Sequence, residues 1–416
     1  MEAEAIGVAH DPYAALRYRG AQLYLSGFIL EAFGSQIQTI ALMWELYQRQ
    51  SSAAVLGWVA GVQAIPMLLL TLPAGYLADV LNRRAMVFIS QLGQVLSSVW
   101  LAWLSWHDGS VGMMLTAIGL GATFQAFGSP ALSSMLPSIV PMNVFSNAAT
   151  WKSSGHQVAS VSGPAAGAFV LAYAGGPWAY IIAGLFSAIF AINILFVKLR
   201  PFDRGVREPM LRSLAEGMRF VFRTKIILAT ITLDMFAVML GGVVYVLPIF
   251  AKDRLDVGEY GFGFLRAAPA VGAFVTAMII AHTPPFKNAG RAMLLAVAGF
   301  GLATVVFGIS QNYWLSLAML VLTGAFDNVS VVVRHTLVQV MTPDSMRGRV
   351  SAVNNVFIGS SNEIGGFRAG MMAEWIGPVR SVVLGGIGTV LVVGAIAAKW
   401  PQVRKFGSLT DAKRQG

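Results

Sequence analysis

The stretch LPAGYLADVLNRRAM, residues 72–86, joins two apolar segments through a short polar loop. Gly75 permits a close approach between helices, because its side chain is a single hydrogen. Asp79 falls at the carboxyl end of the first segment, where a carboxylate is unfavourable unless a cation compensates it. Arg83 and Arg84 follow closely and supply that cation. The spacing predicts a charged cluster that can hold one conformation closed at the end of a helical bundle.

Apolar segments recur along nearly the whole chain. Of its 416 residues, 56% are hydrophobic and 12% are charged, and the mean hydropathy is +0.67. A soluble protein usually has about 25% charged residues, and an apolar run of roughly 20 residues crosses a bilayer. The sequence therefore predicts an all-α membrane protein with twelve transmembrane helices. The predicted spans are 21–47, 53–79, 84–106, 111–137, 144–173, 177–198, 226–250, 259–282, 290–309, 313–340, 349–375 and 379–399.

A basic segment divides these spans into two sets of six, as in transporters built from two repeated halves. Its LRSLAEGMRFVF stretch is predicted to form an interfacial amphipathic helix. The predicted organisation is a cytoplasmic amino-terminal tail (1–20), a first six-helix bundle (21–199), a cytoplasmic linker (200–225), a second six-helix bundle (226–399) and a cytoplasmic tail (400–416).

The distribution of Lys and Arg predicts the orientation of the chain. With a cytoplasmic amino terminus, nearly all basic residues fall in the inside loops and tails. The outside loops then keep only Arg49, Lys252, Arg254 and Arg380. We therefore expect both termini in the cytoplasm. The formal net charge of +10 is a topology signal and indicates no nucleic-acid partner, because the basic residues are dispersed over short loops.

The loop GYLADVLNRR, residues 75–84, resembles the loop motif of the major facilitator superfamily. That resemblance implies the superfamily's fold, two pseudo-symmetric six-helix bundles, and a cytoplasmic gate in this loop. The gate residues would be Gly75, Asp79, Arg83 and Arg84. Val80 and Asn82 depart from the motif, which usually has a basic residue and a glycine at these positions. The alternative is an ordinary basic loop that only sets the orientation.

A second motif, VSGPAAGAF, lies on the fifth predicted span at residues 161–169. Gly163, Pro164 and Gly167 would let this helix bend and pack closely. The motif resembles the fifth-helix motif of the superfamily's drug and proton antiporters, although two further glycines of that motif are alanines here. The resemblance implies export. The alternative is the ordinary tolerance of membrane helices for Gly and Pro.

Four longer stretches narrow the resemblance to the branch that contains the bacterial enterobactin exporter, the transmembrane secretion effectors. They are residues 55–79, 127–141, 334–355 and 361–370. The resemblance implies an exporter of small organic molecules in the bacterial inner (cytoplasmic) membrane. At Gly366 and Ala369 the chain departs from the Glu and Ser of that branch, so the cargo does not follow from the resemblance.

Four acids and four bases fall inside the predicted spans. They are Glu31, Asp234, Asp327, Glu363, Lys152, Arg266, Arg334 and Arg368. A charge inside a bilayer is costly, and such residues usually face the bundle interior and mark ion or substrate paths. Glu31, in the middle of the first span, is the leading candidate for proton coupling, followed by Glu363 and Asp327. The alternative for Glu31 is a fixed ion pair with a buried base such as Lys152.

Several of these residues are also candidates for the substrate cavity or the gate. The cavity candidates are Gln38, Lys152, His156, Tyr245, Arg266 and Asn355. Lys152 and His156 are four residues apart on one helix face and can present positive charge to an anion or to Glu31. Asp234 and Arg334 lie towards the cytoplasmic ends of their helices, and we expect them to join the cytoplasmic gate.

Other classes of function lack their sequence signals. There is no phosphate-binding Gly-rich loop, no metal-ligand spacing of His, Asp or Glu, no cysteine and no paired nucleophile and base. Together with the resemblance, which implies export of a siderophore-like or drug-like molecule, these absences favour a monomeric, proton-coupled exporter without enzyme activity, cofactor or metal. It would work by alternating access. An uptake symporter for a small organic anion, a broad multidrug efflux pump and a transport-inactive scaffold remain as alternatives.

Overall fold

The computed structural model describes residues 11–200, 210–284, 286–343 and 346–407. The outer parts of both predicted tails and linker residues 201–209 lie outside the described residues. The described chain is helical almost throughout, so the prediction of an all-α protein is confirmed.

The first half has six long helices. They are α1 Arg19–Gln50, α2 Ala53–Val80, α3 Arg83–Trp106, α4 Val111–Ile139, α5 Met142–Ala174 and α6 Gly176–Phe196. The linker and the second half continue with α7 Met210–Arg223, α8 Lys225–Gly241, α9 Leu247–Ile249, α10 Gly258–Ala281, α11 Ala289–Ile309, α12 Tyr313–Met341, α13 Arg347–Ile376, α14 Pro378–Lys399 and α15 Pro401–Lys405. The helix ends fall close to the predicted ends, with one exception in the second half.

Side-chain caps fix where three of these helices begin. Asn82 Oδ1 accepts hydrogen bonds from the backbone N–H of Arg84 and Ala85, at 3.0 and 3.4 Å. Ser110 caps α4 and Asn312 caps α12 in the same way. Such caps satisfy amide donors that the first turn of a helix leaves unpaired. The capping role of Asn82 therefore accounts for an asparagine at the position where the loop motif usually has a glycine.

Nine of the described helical segments are long and apolar enough to cross a membrane. The helices α1, α5 and α13 are equally long, with 32, 33 and 30 residues, but they fall outside that set. They carry many of the polar side chains of the site described below. For these three helices, crossing the membrane stays a prediction from their length and their place in the bundle.

The same packing pattern occurs twice. In the first half, α1 packs on α5 and α6, α2 packs on α4, and α3 packs on α4 and α6. In the second half, α8 packs on α13 and α14, α10 packs on α12, and α11 packs on α12 and α14. Two equivalent contacts, α2 with α13 and α5 with α10, join the halves. The prediction of two pseudo-symmetric bundles is thus confirmed.

The predicted span 226–250 is not one regular helix. α8 ends at Gly241, and Gly242 is extended, with φ −65° and ψ 121°. The chain then continues through a 3-10 turn at Val244–Val246, through α9, and through a π-helical turn that ends at Arg254. Two adjacent glycines weaken a helix, and Pro248 lacks the N–H that a helix interior needs. This break corrects the predicted continuous span.

A side chain from α13 stabilises the break. Arg368 donates to the backbone carbonyls of Met239 and Leu240, at 2.8 and 2.5 Å. These carbonyls lie in the last turn of α8, where the helix no longer supplies donors. The half-buried Arg368 therefore fixes where α8 ends and where the following turn begins.

The linker helix α7 lies against the second half. Arg349 Nη1 at the start of α13 lies 2.5 Å from Glu216 Oε2 of α7. A Cβ atom on Gly217 would lie 2.8 Å from the carbonyl oxygen of Arg349, so the two backbones approach closely. The described part of the linker is thus attached to α13 by an ion pair and by backbone contact.

Candidate functional site

A cavity of about 610 Å³ lies between the two halves. Side chains from α1 to α6, from the segment around the α8 break, from α10 and from α13 line it. This volume falls in the usual range for sites that bind small organic molecules. Six of the residues singled out in the sequence line the cavity: Glu31, Gln38, His156, Tyr245, Arg266 and Glu363.

Glu31 belongs to the wall that α1 contributes. The cavity residues of α1 include Glu31, Ser35, Gln38 and Leu42, a spacing that places them on one helix face. Glu31 is half-buried, and in the described part of the chain no hydrogen bond or ion pair engages its carboxylate. A polar group in this position can exchange a proton without first breaking an ion pair.

Lys152 does not provide the ion pair that was the alternative for Glu31. Its Nζ lies over the aromatic rings of Phe28 and Tyr24, 4.8 and 5.7 Å from their centroids. Lys152 is also outside the described lining of the cavity, contrary to its prediction as a cavity residue. His156, one turn further along α5, does line the cavity and packs beside the same Phe28 ring.

On the second half, the α8 break brings a tyrosine to a glutamate. Tyr245 lies in the 3-10 turn after the break, and its hydroxyl donates to Glu363 Oε2 at 2.8 Å. A Cβ atom on Gly366 would lie 2.3 Å from the Tyr245 ring. The absence of a side chain at position 366 therefore makes room for this ring, which explains the departure from the Glu of the resembling branch.

Arg266 of α10 and Asn362 of α13 complete this wall. The Nε atom of Arg266 is buried and has no hydrogen-bond partner among the described residues. Asn355, which the sequence suggested for the cavity, is exposed about two turns before Asn362, and it lies outside the described lining. The correct helix was identified, but the predicted residue lies too close to the amino-terminal end of α13.

Five further amides line the cavity: Gln36, Gln63, Gln94, Gln125 and Asn362. Three of them, Gln63, Gln94 and Gln125, were missed as candidates. Gln63, Gln94 and Gln125 come from α2, α3 and α4, which are otherwise strongly apolar. An uncharged amide that interrupts an apolar span is the signal that identifies such residues, since an unsatisfied amide in hydrocarbon is costly. The sequence analysis did not apply that signal to α2, α3 and α4.

A second group of charges lies within the second half, outside the described lining of the central cavity. Asp234 of α8 and Arg334 of α12 form an ion pair and are 4% and 2% exposed. Asp327 of α12 is half-buried and interacts electrostatically with both charges. The structure thus joins Asp234 to Arg334 as expected, whereas it places Asp327 beside this pair and not in the cavity wall.

We predict that leucine at Arg334 destabilises the protein by about 3–5 kcal/mol, because the buried Asp234 carboxylate loses its cation. The Asp234→Leu, Arg334→Leu double variant should regain most of the loss. Thermal unfolding of the purified variants in one detergent provides the comparison. Equal melting temperatures for the wild type and the Arg334→Leu variant would show that the ion pair does not stabilise the fold.

The predicted gate loop contacts its own half. Arg83 Nη2 lies 3.9 Å from Asp79 Oδ1, and Arg83 Nη1 donates to the carbonyl of Ser134 at 3.2 Å. Arg84 donates to the carbonyls of Leu195 and Val197, at 3.3 and 3.4 Å. In this conformation the two arginines attach the loop to α4 and to the end of α6. A gating role for the loop stays a prediction.

The fifth-helix motif fits α5 between α1 and α10. A Cβ on Gly163 would lie 2.7 Å from Gln36 Cβ, and one on Gly167 would lie 2.9 Å from Ile37 Cα. On the opposite side, a Cβ on Gly263 of α10 would lie 2.9 Å from the carbonyl oxygen of Pro164. Small residues allow such close approach in membrane helices. The motif therefore serves packing within the first half and between the halves.

At the carboxyl-terminal end of α1, hydrogen bonds join the two halves. Trp44 Nε1 donates to Glu259 at 3.0 Å, and the Tyr47 hydroxyl donates to Asp253. A buried apolar cluster that includes residues of both halves surrounds Trp44. We call this end of the bundle the sealed end.

The contact between α2 and α13 extends the sealed end. The Ser52 hydroxyl and the Ala54 backbone N–H both donate to Glu374 Oε2 at 3.0 Å. Further along, a Cβ on Gly370 would lie 2.4 Å from the backbone of Gly57. Backbones that approach so closely leave no passage between α2 and α13 at this point.

The chain matches the family described as "Transmembrane secretion effector" over residues 11–415. It is 26% identical over 398 residues to the multidrug efflux pump Tap of Mycolicibacterium fortuitum, covering 92% of this chain and 96% of Tap. It is also 26% identical over 283 residues to the enterobactin exporter EntS of Shigella boydii, covering 68% of each protein.

Solved transporter structures share the fold at low sequence identity. A D-xylose-proton symporter superposes with a TM-score of 0.72 at 14% identity, covering 94% of this chain and all of that one. An inward-facing bacterial homologue of the human lysosomal transporter Spinster superposes with a TM-score of 0.69 at 16% identity, covering 95% and 99%. These likenesses show the fold and carry no substrate assignment.

Proposed function

Because this chain belongs to the transmembrane secretion effector family of the major facilitator superfamily, we propose that it exports a small organic molecule in exchange for protons. The molecule would be siderophore-like or drug-like. The observation that carries the proposal is the central cavity, which lies between two pseudo-symmetric halves and contains Glu31, whose carboxylate has no partner among the described residues. Intramembrane acids that face such a cavity are typical of proton-coupled transporters.

The proposed mechanism is alternating access. The two halves would rock about the cavity, so that the sealed end opens when the opposite end closes. The basic-loop pattern predicts that the sealed end faces the outside of the cell, and the structure would then be the cytoplasm-facing state. Glu31 would take up a proton when the cavity faces outward and release it when the cavity faces the cytoplasm. Cargo would travel in the opposite direction.

The other proposed roles follow from the contacts of each group. Glu363 ranks second for proton coupling, because Tyr245 already engages one of its oxygens. Asp327 ranks third, because it lies beside the Asp234–Arg334 pair and outside the described cavity lining. The gate would comprise the loop from Gly75 to Arg84 together with that ion pair. We further propose that the protein works as a monomer in the inner membrane, with both termini cytoplasmic.

Two candidate functions compete with this proposal. The match to a multidrug efflux pump over 92% of this chain supports broad drug efflux. Arg266, whose Nε atom has no hydrogen-bond partner in the described part of the chain, supports uptake of a small organic anion with protons. Transport direction separates uptake from export, and the number of cargo compounds separates broad from narrow export.

Metabolite comparison tests direction and cargo together. Medium and cell contents of the source strain would be compared by mass spectrometry with those of a gene-deletion strain, in iron-poor and in iron-rich medium. If the protein exports a compound, the deletion strain should contain less of it in the medium and more of it inside the cells than the source strain. Dependence on iron supply would indicate siderophore-like cargo. If the deletion strain instead leaves more of a compound in the medium and contains less of it inside the cells, that result would contradict export and support uptake.

A further inference from the structure

We infer that the central cavity selects a cationic molecule that carries several N–H or O–H donors. This inference rests on the proposed function, since it identifies the class of cargo for the same cavity. Two independent features of the cavity support it: the direction in which three of its six amide groups face, and the balance of its charges.

Neighbouring backbone carbonyls fix the direction of three cavity amides. The side-chain nitrogens of Gln63 and Gln94 donate to the carbonyls of Val59 and Gly121, both at 3.1 Å. Asn362 Nδ2 donates in the same way to a carbonyl of its own helix, at 3.0 Å. A carbonyl oxygen only accepts hydrogen bonds, so the amide nitrogen must face it. Each of the three amides thus keeps its oxygen and one N–H group for a ligand. Gln38 is engaged in the opposite sense, since its oxygen accepts from the Ser98 hydroxyl at 2.7 Å and its N–H groups remain. Because an amide oxygen accepts two hydrogen bonds, acceptor sites still outnumber N–H donors among these four amides.

The charges of the cavity favour a cation. Glu31 and Glu363 each contribute a carboxylate, and Arg266 is the only Lys or Arg in the described lining. Tyr245 occupies one oxygen of Glu363 and leaves the other available. With both acids ionised, the lining carries one negative charge in excess. The carboxylate oxygens are also acceptors, so charge and hydrogen bonding select the same kind of ligand.

Other ligand classes fit this lining less well. An anion would gain Arg266 but would face two carboxylates. An apolar aromatic drug would leave the amide oxygens without donors, and buried polar groups without partners reduce affinity strongly. The described lining also offers little stacking surface, because Tyr245 and His156 are its only aromatic rings. A donor-rich cation satisfies the acceptors and the excess charge together.

Three probes on one scaffold separate the effect of charge from that of donors. Spermine carries both, quaternary permethylated spermine keeps the charge without N–H donors, and tetra-acetylspermine keeps only its two terminal amide N–H donors and no charge. A tetracarboxylate of similar length serves as the anion. Binding to the purified full-length protein in nanodiscs would be measured by calorimetry. We expect spermine to bind at least about tenfold more tightly than each of the other three.

Matched glutamine variants test the direction of the amides. Gln63→Leu and Gln94→Leu should each weaken spermine binding several-fold. Gln22→Leu is the control, because its side-chain nitrogen also donates to a backbone carbonyl, that of Leu16 at 2.6 Å, and it lies outside the described cavity lining. It should leave spermine affinity unchanged. Equal losses in all three variants would overturn the assigned role of the amide oxygens.

The same measurements separate the cargo class from the transport function. Failure of spermine to bind, or tighter binding of the anion or of either modified spermine, would overturn the inference. Because binding is measured without a proton gradient, preferred binding of spermine stands even if vesicle assays later show no proton-driven export. Conversely, proton-driven export of an anionic or apolar cargo would keep the proposed function and remove the inference.

Discussion

Replacing Glu31 by glutamine is expected to abolish proton-driven export while preserving exchange of cargo at saturating concentration. Glutamine has nearly the shape of glutamate, but it binds no proton in the physiological range. The cavity can still open alternately to both sides, and cargo can still exchange down its own gradient. Accumulation against a gradient needs the proton, so it should fall to the level of empty vesicles.

Proteoliposomes separate these two activities. Driven accumulation would be measured with an imposed pH gradient, and exchange with labelled cargo on one side and unlabelled cargo on the other. Glu31→Asp is the matched variant, because it keeps a carboxylate that binds protons, and it should retain part of the driven transport. Loss of exchange together with driven transport in Glu31→Gln would mean that Glu31 supports the structure or cargo binding alone.

Leucine at Gly370 is expected to prevent closure of the sealed end. A Cβ at this position would already lie 2.4 Å from the Gly57 backbone, and backbone atoms cannot move aside as a flexible side chain can. The halves would have to separate along α2 and α13, which removes the closed state from the cycle. We expect transport to fall to background while the protein still inserts and folds, since each bundle keeps its own core.

Cysteine labelling would detect this change, because the chain has no natural cysteine. Gln63→Cys places one thiol in the cavity. A membrane-impermeant maleimide added at the sealed end should label it faster in the Gly370→Leu background than in the wild type. Gly394→Leu is the control, since a Cβ there has no neighbour within 4 Å. Unchanged labelling and normal transport in Gly370→Leu would show that this contact does not close the cavity.

Local sequence signals predicted most of the fold. Apolar runs gave the long helices of both halves, and polar residues such as Asn82 and Ser110 account for helix starts. The break after Gly241 was not predicted, because mean hydropathy stays high across residues 225–254. Two glycines and Pro248 mark the break in the sequence, but glycine and proline also occur in unbroken membrane helices, as Pro66 does within α2.

The charged part of the candidate site was easier to predict than its neutral part. Glu31, Arg266 and Glu363 stand out in apolar spans because buried charge is costly. Their partners were not predictable, since the Tyr245–Glu363 bond depends on the α8 break and on the missing side chain at Gly366. Lys152 is a charged residue whose position was predicted wrongly. Its spacing suggested that it lines the cavity, but its ammonium group lies over two aromatic rings of α1.

Everted membrane vesicles test the central claim most directly. Respiration acidifies their lumen, so a proton-coupled exporter should drive its cargo inward. The cargo would be the compound that accumulates in the deletion strain. We predict that it accumulates in vesicles containing the wild-type protein, that a protonophore stops this accumulation, and that vesicles containing the Glu31→Gln variant show none. Accumulation that persists with the protonophore, or that Glu31→Gln supports as well as the wild type, would contradict proton-coupled export through Glu31.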